Sequence, residues 1–96
     1  TDGIIRARFR NPRHPASFII PGEVIEYHID LWSTSNVFLR GHQIRIEISS
    51  SNFPRFDRNL NTGGEIGSEV EFVSALQTIH HSSEFKSHVI LPIVRN

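Results

Sequence analysis

Alternation with a period of two runs through the middle of this chain, and it restricts the possible folds more than any other feature. Between Val24 and Trp32, Ile25, Tyr27, Ile29 and Leu31 fall on one side of an extended backbone; Glu26, His28 and Asp30 fall on the other. Between Gln43 and Ser50, Ile44, Ile46 and Ile48 oppose Gln43, Arg45, Glu47 and Ser49. Successive side chains of a strand point to opposite faces, so each pattern specifies a sheet with one buried face and one wet face. No segment keeps a helical apolar period over three turns, which argues against a helical architecture. The apolar residues are mainly Ile, Val, Leu and Phe, with methionine absent, and this composition also favours strands.

Further strands are expected at Ile4–Arg10, Phe18–Ile20, Glu69–Val73, Ala75–His81 and His88–Val94. In the first, Ile5, Ala7 and Phe9 oppose Arg6, Arg8 and Arg10. Pro92 confines the last strand to an edge, or to a ladder position that needs no donor. Asn11-Pro12 and His14-Pro15 break the chain, and Thr34–Phe38 connects. Pro21-Gly22 stands in the order of a type II turn, Arg40-Gly41 is a second turn, and Asn61-Thr62-Gly63-Gly64 is a third interruption. The sum is one antiparallel all-β sandwich domain over residues 1–96.

Several separated blocks carry a family resemblance. They are "TDGIIRARFR" at Thr1–Arg10, "PGEVIEYHIDLW" at Pro21–Trp32, "IDLWSTSNVF" at Ile29–Phe38, "GHQIRIEISSSNFPRFDRNLNTGG" at Gly41–Gly64, "QTIHH" at Gln77–His81 and "SHVILPIV" at Ser87–Val94. In this order they resemble the C-terminal, non-catalytic β-sandwich of X-prolyl dipeptidyl-peptidase and cocaine-esterase type serine hydrolases. This is the CocE/NonD group, which includes α-amino-acid ester hydrolases and related acylases. The resemblance implies a jelly roll of the galactose-binding-domain-like kind. It also implies a parent enzyme whose Ser-His-Asp triad sits in a separate α/β-hydrolase domain. That domain would be the partner, braced by this one, which would also wall one side of the substrate pocket. The family sandwich is about twice this length, and Thr1 corresponds to its middle, so the chain is expected to be the second half of the sandwich. Six apolar side chains left in water would then cost on the order of 10 kcal/mol, at roughly 1.5–3 kcal/mol each. A chain of this kind in isolation is expected to form a homo-oligomer.

No catalytic residue is expected within the chain. Gly64–Ser68 reads Gly-Glu-Ile-Gly-Ser, which is not a nucleophile elbow, and no serine or histidine matches a triad motif. Ten Lys and Arg balance ten Asp and Glu, so nothing marks a nucleic-acid partner or an anionic membrane. No apolar run approaches the roughly 20 residues that span a bilayer. Thr1 opens directly into a strand-like pattern, from which no signal peptide is expected. Cysteine is absent, which favours a cytoplasmic location weakly and also fits a periplasmic one.

No cofactor or metal is expected. His80 and His81 are neighbours, so on a strand they point to opposite faces. His28, His80 and His88 share a face only if three strands adjoin. Arg6, Arg8, Arg10 and Arg13 form a basic stripe, read as a solvated face paired with Glu26, Asp30 or Glu47. Asp57 near Arg55 and Arg58 reads as a loop-fixing ion pair, with Asn52 and Asn59 bonding backbone amides. Five residues stand out as interface candidates: Trp32, Phe53, Arg55, Phe56 and Arg58. Aromatic rings with arginines on a long loop have the composition of an interface anchor. The alternative is a carbohydrate-binding module stacking sugars on Trp32, Phe38, Phe53 and Phe56, supported by fold analogy alone.

Overall fold

The computed structural model describes residues 1–94; Arg95 and Asn96, the end of the expected domain, lie outside the described residues. The chain divides into two units, Thr1–Glu47 and Ile48–Asn96. Among the described residues there is one regular element, the 3-10 turn Ala7–Phe9, and one isolated antiparallel bridge, His81 with Lys86. Among them no strand ladder forms and no residue is buried. What organises the chain is a set of turns and short antiparallel appositions.

In the first unit, the N-terminal segment lies against the end of the Val24–Trp32 run. The Thr1 hydroxyl donates to the Leu31 carbonyl, and Gly3 sits against the Asp30 carbonyl. Residue 1 opposite 31 and residue 3 opposite 29–30 is an antiparallel sense, as the expected sheet requires. A β-carbon on Gly3 would meet the Asp30 carbonyl oxygen and Ile29 Cγ2, so only glycine allows this approach.

The expected strand Ile4–Arg10 is corrected by the turn at Ala7–Phe9, which breaks its alternation. The cause lies in the loop that follows. The Ser17 amide donates to the Arg8 carbonyl at 3.0 Å. Arg10 Nη1 donates to the carbonyls of Ala7 at 3.0 Å and Ser17 at 2.9 Å. The Arg8 guanidinium lies over the Phe18 ring at 5.3 Å. Two arginines of the expected stripe thus hold the loop to its own base, and Arg6, Arg8 and Arg10 do not line one strand face.

The turn residues behave as their chemistry demands. The Glu23 amide donates to the Ile20 carbonyl at 3.1 Å across Pro21-Gly22. The His42 amide donates to the Leu39 carbonyl at 3.0 Å across Arg40-Gly41. Gly22 and Gly41 both have φ 86°, the left-handed value that the third residue of a type II turn needs. Glu26 and His28 approach to 2.9 Å, and Arg45 and Glu47 to 3.7 Å. Side chains two residues apart meet when the backbone is extended, so the polar faces read from the alternation are present although no ladder joins them.

The second unit contains two hairpin-like closures. The Val73 amide donates to the Leu60 carbonyl at 2.9 Å, and Asn61 Nδ2 donates to the Val73 carbonyl at 2.9 Å. Thr62 donates to the Glu69 carboxylate, and the Ser68 hydroxyl and amide both donate to the Glu65 carbonyl. Residues 60–62 therefore oppose 69–73, closed by Glu65–Ser68. The second closure joins His80-His81 to Lys86-Ser87. Ser87 Oγ donates to the His80 carbonyl, Ser82 Oγ accepts the Phe85 amide at 3.0 Å, and the His80 and Phe85 rings pack at 5.3 Å. This places the end of the expected strand Ala75–His81 antiparallel to Lys86-Ser87, just before the expected strand at His88–Val94.

Candidate functional site

The loop Asn52–Asn59 holds four of the five interface candidates. Ser49 Oγ donates to the Ser51 carbonyl at 2.8 Å, and Ser51 Oγ accepts the Phe53 amide at 3.4 Å. The Phe56 amide donates to the Asn52 carbonyl at 3.1 Å, which winds residues 52–56 into one tight coil. The Phe53–Pro54 peptide is cis. The serine run is therefore a backbone brace for the loop.

Within the loop each arginine rests on a ring. The Arg58 guanidinium lies 4.9 Å from the Phe53 centroid, and the Arg55 guanidinium 5.3 Å from that of Phe56. Both distances lie within cation–π range. Asp57 Oδ2 lies beside Gly67, 3.9 Å from where a β-carbon would stand, so the loop reaches the Glu65–Ser68 turn. The Asn59 side-chain oxygen accepts the Asn61 amide at 3.1 Å, as expected of an asparagine that fixes backbone. Asn52 acts through its main-chain carbonyl.

Trp32 belongs to the first unit and the other four candidates to the second. Its backbone amide donates to Asp30 Oδ1 at 2.7 Å, and its φ is 63°. The residue is 81% exposed, more than any Phe or Tyr among the described residues. Asp30 was not a candidate from sequence. The signal that marks it is an aspartate whose side chain can reach the amide two residues on, the geometry of an Asx turn.

The three histidines near the second closure have local partners. His80 packs on Phe85, His81 pairs its backbone with Lys86, and His88 Nδ1 lies 3.0 Å from the Lys86 carbonyl. Among the described residues no group of three or more His, Asp or Glu could hold a metal ion. No helix among them is long and apolar enough to cross a membrane.

Comparison with known proteins decides the family. The family model of the X-Pro dipeptidyl-peptidase C-terminal non-catalytic domain matches residues 1–90. The chain belongs to this family. It is 48% identical over 96 residues to the cocaine esterase of Rhodococcus sp. (strain MB1 Bresler), covering 98% of this chain and 17% of the esterase. The chain thus spans about a sixth of the length of that relative. No solved structure matches the chain. Membership makes it a C-terminal non-catalytic domain of the X-Pro dipeptidyl-peptidase type, a family that implies a β-sandwich.

Proposed function

We propose that this domain is the structural brace of a serine hydrolase that cleaves peptide, ester or amide bonds. It packs on the α/β-hydrolase domain and walls one side of the substrate pocket. Its finished form is an antiparallel, galactose-binding-like jelly roll, of which residues 1–96 supply the second half. One observation carries this reading: the faces that should be buried are open. Ile44, Ile46 and Ile48 are 54%, 55% and 60% exposed, and no described residue is buried. A family sandwich needs a dry interior, so the cover comes from elsewhere in the protein. At roughly 1.5–3 kcal/mol for each large apolar side chain buried, a handful of such residues matches the whole stability of an ordinary domain.

The loop Asn52–Asn59 with Trp32 supplies the contacts to the hydrolase domain. Phe53, Arg55 and Phe56 sit on a coil closed by the Phe56–Asn52 backbone bond and Arg58 rests on Phe53, so little freedom is lost on docking. The sugar-binding alternative is weakened by the same geometry, because guanidinium groups already cover one face of Phe53 and of Phe56. The test is thermal inactivation of the intact hydrolase, with and without this domain. Removal should speed the loss of activity at least tenfold, and an unchanged inactivation rate would defeat the brace.

A further inference from the structure

The basic segment ahead of Pro21 has no part in the bracing role. Between Gly3 and Gly22 the chain carries Arg6, Arg8, Arg10, Arg13 and His14 and no acidic residue, although the chain as a whole is neutral. The acids expected to answer this stripe are engaged elsewhere. Glu26 meets His28 at 2.9 Å, Glu47 meets Arg45 at 3.7 Å, and Asp30 accepts the Trp32 amide at 2.7 Å. Among the described residues no carboxylate pairs with Arg10 or Arg13. Arg10 is half-buried, so its charge is the one in most need of a counter-ion. Its Nη1 donates to the carbonyls of Ala7 at 3.0 Å and Ser17 at 2.9 Å, which fixes the guanidinium plane without neutralising it. Its Nε–Nη2 edge makes no hydrogen bond among the described residues. Two parallel N–H groups on such an edge grip a carboxylate or a phosphate.

A space for such a group lies on the same loop. Arg10, Asn11, His14, Pro15, Ala16 and Ser17 line an open cavity of about 480 Å³, within the size range of small-molecule sites. The loop is held by its own bonds. Asn11 Oδ1 accepts the Arg13 amide at 3.1 Å, the Asn11 carbonyl accepts the His14 amide at 3.2 Å, and the Arg8 carbonyl accepts the Ser17 amide at 3.0 Å. The cavity is therefore built within one continuous segment and does not wait for cover on the apolar faces. We propose that this loop binds a small oxyanion, the carboxylate or phosphate group of a metabolite-sized molecule. Arg10 grips the anion, His14 is a second donor, and Arg13 adds to the local positive potential. The site does not depend on the bracing role.

The test is equilibrium dialysis of the intact hydrolase against inorganic phosphate and, separately, against acetate. Arg10→Gln should weaken binding about tenfold or more, the usual effect of losing a hydrogen bond to a charged group. His14→Ala removes a donor but no bond of the loop, because the histidine enters the loop through its amide alone; it should weaken binding about threefold or more. Arg40→Gln removes a charge from a different turn and should leave the affinity unchanged. Saturable binding of phosphate, acetate or both with this pattern supports the site, and the tighter of the two identifies the group. Binding of neither anion would overturn it, as would binding that His14→Ala and Arg10→Gln leave intact. Equal weakening by Arg40→Gln would also overturn it, since bare charge attraction would then suffice. Should Arg10→Gln unfold the loop, His14→Ala decides alone.

Discussion

Gly3→Ala is the sharpest test of the antiparallel apposition in the first unit. The added β-carbon would stand 2.8 Å from Ile29 Cγ2 and 3.1 Å from the Asp30 carbonyl carbon, and would press on the Asp30 oxygen. Carbon atoms in good contact are about 3.5–4.0 Å apart, so the segments must part by about 1 Å. The obstacle is backbone, which has no rotamer to swing aside. Parting them loses the Thr1–Leu31 hydrogen bond, worth about 1 kcal/mol. Forced overpacking adds about 1–3 kcal/mol. Against this, alanine reduces the freedom of the unfolded chain by about 0.4–1 kcal/mol. The net loss is therefore about 1–3 kcal/mol, a rise of about 5- to 150-fold in the local open population. Amide hydrogen exchange at Ile29–Leu31 in the intact protein reads it directly. Unchanged or slower exchange would mean that the close approach is absent and the entropic gain prevails.

Gly22→Ala should cost about 1 kcal/mol, because its surroundings are open and only φ 86° opposes a side chain; a neutral denaturation midpoint would contradict the turn. A double-mutant cycle on Phe53 and Arg58 should give a coupling of about 0.5–1 kcal/mol, and additivity within error would remove the ring–guanidinium pair. The isolated chain should scatter light as a dimer or larger, since its apolar side chains have no internal cover; a well-folded monomer would contradict the half-sandwich. Simple sugars should leave the fluorescence of Trp32, the single tryptophan, unchanged, and a saturable response would favour the carbohydrate module.

Local chemistry was legible in the sequence and long-range closure was not. Pro21-Gly22 and Arg40-Gly41 announce their turns because proline fixes φ and glycine tolerates its reversal. Glu26 with His28 and Arg45 with Glu47 meet as the two-residue period requires. The five interface candidates rest on composition and their docking is a proposal, whereas the serines beside Phe53 do brace its backbone. Two features escaped. Ile4–Arg10 alternates like a strand, yet a turn forms there because Arg10 and Ser17 compete for the carbonyls of Ala7 and Arg8. Such competition depends on where the loop returns, which periodicity does not encode. The handedness of Trp32 escaped for a related reason: alternation reports which way a side chain points and says nothing about the sign of φ.

The corners at Ile20–Glu23, Leu39–His42, Glu65–Ser68 and Ser82–Phe85 are each closed by partners only three positions apart. Contacts so near in sequence demand little loop-closure entropy, so these bends can form before any distant pairing exists. Assembly of the sandwich then becomes a search among a few stiff, pre-bent segments rather than a limp string. Whatever surface completes the sheet would act late, as a template that captures corners already made.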